Sequence, residues 1–201
     1  MCVVKICNED VRNSYHYPSD VRNLIQYIFR DSKVYSGDKK DGCVFAKAIP
    51  DFFGSDAKML RDRLPEIILR NHEVFGKTEG KLVHHLMLSF RDMELRLLLA
   101  NNGHMLQAFM DRLLRDYFNM GYLSGYAVHW DTEHPHIHLF VDNISFLNGN
   151  RFFLKNEAMI IQGMFDGCFY YYFMHKQNPV AIPAVTYVHM LPPVHFAQTL
   201  F

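Results

Sequence analysis

The sequence carries no surplus of either charge: Lys plus Arg number 21, Asp plus Glu number 21, and the formal net charge is zero over 201 residues. Binding to long nucleic acids normally draws on clustered Lys and Arg, so this balance argues against tight, sequence-independent attachment to DNA, although a neutral total can hide a basic face. Cysteine is sparse, with Cys2, Cys7, Cys43 and Cys168 scattered and no CxxC pair. That pattern excludes a disulfide framework and fits reduced thiols in a cytoplasm. No apolar run approaches the roughly 20 residues a membrane span needs, and the start has neither a long apolar core nor a small-residue cleavage site. Charge is missing altogether from 177–201, which holds Pro179, Pro183, Pro192 and Pro193. The prolines exclude a simple membrane helix, so this tail is expected to lie on the domain or on a missing partner. With 49% hydrophobic residues, 1–201 is expected to form a single cytoplasmic domain with its own core.

Residues 2 to 7 read as a short buried strand, and Ser19-Asp20 as the N-cap signal of a helix carrying Val21, Leu24, Ile25, Ile28 and Phe29 on one stripe. Tyr27 falls roughly 130° from the centre of that stripe, which predicts that it leaves the core face. Residues 31 to 56, with Gly37, Gly42, Pro50 and Gly54, read as a long loop of little regular structure. A helix is expected from Ala57 to Asn71, bent or restarted at Pro65. Lys81 to Phe90 reads as a strand. Met105, Leu106, Phe109, Met110, Leu113, Leu114 and Phe118 trace an amphipathic helix that stops before Gly121. Asn148-Gly149-Asn150 supplies a turn into Arg151. Residues 157 to 175 have helical character weakened by Gly163 and Gly167.

Histidine is the residue in local excess: His129, His134, His136 and His138 fall within ten residues. Alternate residues of a strand share a face, so His136 and His138 project together while Ile137, Leu139 and Val141 enter a core on the other side. If Trp130 to Pro135 closes a hairpin between 125–130 and 135–141, His129 lies opposite His136, with Cβ atoms roughly 4.5–5.5 Å apart. The hairpin's apolar face, including Val128, should then be covered by a helix such as 104–119. Three imidazoles converging on one point leave open positions at a metal, as a catalytic or substrate-binding centre does and a closed structural zinc site does not.

Tyr27 within Asp20-Val21-Arg22-Asn23-Leu24-Ile25-Gln26-Tyr27-Ile28, a His-bearing strand ending Ser89-Phe90, and Val128-His129-x-Asp131-Thr132-x-x-x-His136-Ile137-His138 together resemble the relaxases of conjugative and mobilisable plasmids and integrative elements, within the HUH endonucleases. The resemblance spans about Asp20 to Phe153. It implies an α/β (α+β) fold with a central antiparallel sheet flanked by helices. It also implies a site- and strand-specific DNA nickase and strand transferase acting at an origin of transfer. In that chemistry a tyrosine oxygen attacks a backbone phosphodiester, forming a 5′-phosphotyrosyl link and a free 3′-OH. The implied ligands of a divalent metal, Mn²⁺ or Mg²⁺ with Zn²⁺ or another transition metal as alternatives, are His129, His136 and His138. Tyr27 is the implied nucleophile, Asp131 the acidic residue that steadies a histidine, and His134 a ligand or base. Ser89 and His85 (or His84), with Asn143, are the implied substrate contacts. Just past the metal strand the family commonly has Asn, where this chain has Asp142 and then Asn143, a departure that bears on a substrate contact or on strand register. The implied partners are single-stranded DNA, relaxosome accessory proteins and a type IV secretion coupling protein.

Other readings compete. Rolling-circle replication initiators and single-tyrosine transposases of the same class commonly place the nucleophile after the histidine motif, here around Tyr170 to Tyr172. Tyr15, Tyr17 and Tyr35 compete with Tyr27 from nearby. A catalytically silent DNA-binding relaxosome component would keep the fold without the reaction. A metallohydrolase of small phosphoesters would be indifferent to Tyr27.

Overall fold

Strand β5 (His136–Asp142) runs through the middle of the molecule with an antiparallel neighbour on each side: β3 (Val83–Ser89) and β4 (Ser124–His129). Strand β1 (Val3–Ile6) continues the sheet beyond β3, and β2 (Ala46–Ile49) beyond β4. The order is β1-β3-β5-β4-β2, and every pairing is antiparallel. This computed structural model describes residues 3–7, 15–30, 46–49, 56–99, 103–129, 135–153 and 155–175.

Period-two alternation assigns the two faces of the sheet. On one, Leu86, Leu88, Val128, Ile137, Leu139 and Val141 are buried beneath α4 (His104–Asn119) and α5 (Glu157–His175), with Leu98 of α3 (Asp92–Leu99) joining the same core. Side chains of this size each contribute about 1.5–3 kcal/mol when fully buried. On the other face, Val83, Phe140, Ala127, Ala46 and Ala48 pack under α1 (Pro18–Ile28) and α2 (Ala57–Val74). Helix α1 buries Val21, Leu24, Ile25 and Ile28, as its stripe predicts, and leaves Tyr27 38% exposed.

Four local expectations are corrected. Strand β1 is a sheet edge and not a buried strand: Val3 is exposed, while Val4 and Ile6 only partly reach the core. Helix α1 begins earlier than Ser19-Asp20 indicates. Pro18 occupies its first position with φ preset for the helix, and the Asp20 carboxylate accepts from the backbone N–H of His16 and Tyr17. Helix α2 runs unbroken past Pro65, which is itself buried among Leu60, Leu64, Ile68 and Leu69. Packing along that face outweighs the one backbone bond a proline cannot make. The span 31–56 contains β2 at Ala46–Ile49, while 31–45 and 50–55 lie outside the described residues. Its small residues are dictated by crowding: a Cβ on the facing Gly125 would come within 2.7 Å of Phe140 and 2.8 Å of Ala48. The uncharged tail at 177–201 also lies outside the described residues.

Candidate metal centre and nucleophile

The β4–β5 register sets His129 directly against His136, and His138 one pleat further along the same face. Along that face of β5, Asp142, Phe140 and His138 are buried, and His136 at the start of the strand is partly exposed. One nitrogen from each of His129, His136 and His138 lies within 4.8 Å of the others, a spacing one ion can bridge. His129 and His138 are almost fully buried and His136 is partly exposed, so the centre opens on one side. Three imidazole nitrogens with an open side fit a divalent metal that also binds a substrate oxygen.

Hydrogen bonds behind the rings determine which nitrogens are available. His129 Nε2 donates to the backbone carbonyl of Ile28, 2.8 Å away; a carbonyl can only accept, so the lone pair of His129 is on Nδ1. His138 Nδ1 lies 2.8 Å from His85 Nε2, and His85 Nδ1 lies 2.8 Å from the Tyr15 hydroxyl. A single polarity satisfies this chain with the lone pair of His138 on Nε2. His138 then donates to His85, and His85 donates to Tyr15. Burial holds His138 neutral, with repulsion from His129, His85, His136 and Arg30 adding to it. Burial likewise lowers His85 to about 4. Neutral imidazoles are the form in which a metal is bound.

Helix α1 brings the tyrosine. The Tyr27 hydroxyl is 3.4 Å from His138 Nε2, and its ring stands edge-on to His129 and His138 at centroid distances of 5.3 and 5.1 Å. The Arg30 guanidinium lies over the same ring, 4.4 Å from its centroid. Alongside runs a groove of about 1230 Å³ whose wall includes Lys5, Tyr15, Tyr17, Tyr27, Met87 and His138.

The structure thus brings together His129, His136, His138, Tyr27 and His85. Ser89 pairs with His136 across the β3–β5 ladder and so lies at the same end of the sheet. Asn143 is not brought to the centre. It is buried past the far end of β5, donating to the Lys81 carbonyl and bonded through Oδ1 to His84, which lies on the opposite face from His85. Asp142 leaves the register regular and is taken up by His72 and Asn71 of α2, at 2.7 and 2.9 Å. Asp131 and His134 lie outside the described residues, as does Tyr35. Arg30, just past the C-cap Phe29 and three residues beyond Tyr27, had no signal in the helical pattern. Tyr15 is committed to His85, and burial raises its pKa, which disfavours the phenolate a nucleophile needs. Helix α5 packs Ile161, Met164 and Phe165 on the sheet face opposite the histidines.

Residues 27–166 match the family model described as Relaxase: MobA/VirD2-like, nuclease domain. No curated protein and no solved structure gives a significant match. Among the described residues, no helix is long and apolar enough to cross a membrane.

Proposed function

Because the chain belongs to the MobA/VirD2-like relaxase nuclease family, whose members nick DNA, we propose that it cleaves one strand at an origin of transfer during conjugative mobilisation, with Tyr27 as the nucleophile. His129 through Nδ1, His138 through Nε2 and His136 would hold a divalent cation, Mn²⁺ or Mg²⁺ in use. Such a cation polarises a phosphate oxygen and offsets the charge that develops at phosphorus. The Tyr27 oxygen forms a bond to phosphorus as the bond from phosphorus to the 3′ oxygen breaks; the phenolic proton is lost to water and the 3′ oxygen takes one up. The bond energy stays in the phosphotyrosyl ester, and reversal by a 3′-OH rejoins the strand without ATP.

His85 fixes the ring of His138, and the Ile28 carbonyl fixes that of His129. The groove beside Tyr27 suits a single strand, whose bases can stack on Tyr15 and Tyr17. The observation that carries the reading is the Tyr27 hydroxyl at 3.4 Å from a member of the three-histidine cluster. The placement of α5 on the opposite sheet face favours Tyr27 over a nucleophile around Tyr170 to Tyr172.

The test is incubation with a labelled single-stranded oligonucleotide library and Mn²⁺, scoring protein-linked label and mapping the linked peptide. The expected adduct is on Tyr27, and Tyr27→Phe abolishes it while keeping its fold and Mn²⁺ affinity. Adduct formation by the Phe variant at the wild-type rate, or label mapped to another tyrosine, overturns the assignment.

A further inference from the structure

Arg30 follows the C-cap of α1 and sets its guanidinium over the ring of Tyr27, 4.4 Å from the centroid. Its Nε is buried and has no hydrogen-bond partner. The second fact costs stability as it stands, because a buried donor left unmade loses its hydration without a replacement, and a divalent ion held by the histidines would repel the guanidinium. The cation–π contact with the tyrosine offsets only part of that cost. An anion entering beside the guanidinium would balance the charge. A phosphodiester brings one negative charge, and its pentacoordinate transition state brings two, spread over two nonbridging oxygens.

We propose that Arg30 is a catalytic residue that binds the scissile phosphate, its guanidinium taking the nonbridging oxygen that faces away from the three histidines. This rests on the nickase reading given above. The fork of a guanidinium suits two parallel bonds to such a phosphate, and its seat over the Tyr27 ring holds it beside the attacking phenolic oxygen. After transfer the phosphate is esterified to Tyr27 itself, so Arg30 still touches it and protects the ester from drifting out of reach of the returning 3′-OH.

The experiment compares wild type, Arg30→Ala and Arg30→Lys on the oligonucleotide recovered from the library, with its scissile phosphate made as each of the two phosphorothioate diastereomers. Three quantities are read: Mn²⁺ affinity by calorimetry, oligonucleotide Kd with Tyr27→Phe as background, and the single-turnover rate of adduct formation. Arg30→Ala is expected to slow the adduct on the order of 10²-fold, with Mn²⁺ affinity unchanged and Kd within about threefold. Arg30→Lys, which keeps charge without the fork, recovers part of that loss. In wild type one diastereomer is slowed through contact with Arg30, and in both variants that particular slowing disappears while the other diastereomer behaves as before. If Arg30→Ala does not fold, the Lys variant alone decides through the diastereomer comparison. Rates within about threefold of wild type, or an unchanged preference between diastereomers, overturn the proposal while leaving Tyr27 in place. A wild-type protein that forms no adduct overturns the nickase reading and this inference with it.

Discussion

A histidine that binds a metal through one nitrogen depends on what engages the other, because that bond sets both ring angle and basicity. His85 engages His138 in this way and is itself held by Tyr15, so three side chains from β5, β3 and the segment before α1 form one line of hydrogen bonds. Removing His85 should leave His138 free to rotate and its Nδ1 buried without a partner. We expect His85→Ala to weaken Mn²⁺ binding by about 10–100-fold in calorimetric titration, with the far-ultraviolet spectrum unchanged. An unaltered affinity would show that His138 needs no such support. The convergence of His129, His136 and His138 was readable in the chain, since a period of two and one hairpin define their face. The role of His85 was not, because its partner is 53 positions away and pairing of β3 with β5 is a property of the sheet.

At the scale of elements, the strongly periodic segments behaved as their patterns indicate, and the exceptions have physical causes. Strand β2 offers only Ala-Lys-Ala-Ile, too short and too small to signal a strand. Its identity comes from Gly125, which lets it approach β4, and from an ion pair between Lys47 and Asp111 of α4. Helix α5 tolerates Gly163 because a side chain there would meet open space, so nothing is lost in packing. The same helix carries a buried liability. Glu157 accepts a 2.7 Å bond from the Tyr117 hydroxyl on α4, and burial raises its carboxyl from 4.5 to about 7 against the pull of Tyr117 and Lys81. A carboxyl with a raised folded-state pKa stabilises most below its unfolded value, and that contribution is lost as pH climbs from 4.5 through 7, on the order of 3 kcal/mol in all. Glu157→Gln keeps the acceptor and removes the titration. Its melting temperature should exceed that of wild type by several degrees at pH 8, with most of the gap closed at pH 5. A gap of equal size at both values would refute this origin.

For the molecule as a whole, the neutral charge balance finds its expression in a groove walled by tyrosines, with Lys5 offset by Asp20 and Glu79. Affinity for a single strand should therefore come mainly from stacking, worth about 1–3 kcal/mol per base, and little from displaced counterions. With Lys5 and Arg30 as the cations beside Tyr27 and its groove among the described residues, log Kd against log salt should have a slope of magnitude about 1.4, from about 0.7 per phosphate. Titration by fluorescence anisotropy from 50 to 500 mM salt measures it. A magnitude near 4 would mean about six phosphates neutralised by a basic surface elsewhere.

The bond from His129 to the Ile28 carbonyl has one more consequence. That carbonyl belongs to the last residue of α1, where helices leave their acceptors unmet, and Arg61 meets the next one at Phe29. The helix that carries the proposed nucleophile and one of the proposed metal ligands are thereby hitched to each other one residue from Tyr27. A tilt that withdraws the tyrosine must let go of His129, and a ring turned at His129 must loosen the seat of the tyrosine. Anyone transplanting this helix into a related scaffold, or shortening it to change the nick, would have to carry the hitch along. Tyrosine and histidines behave as a single exchangeable part.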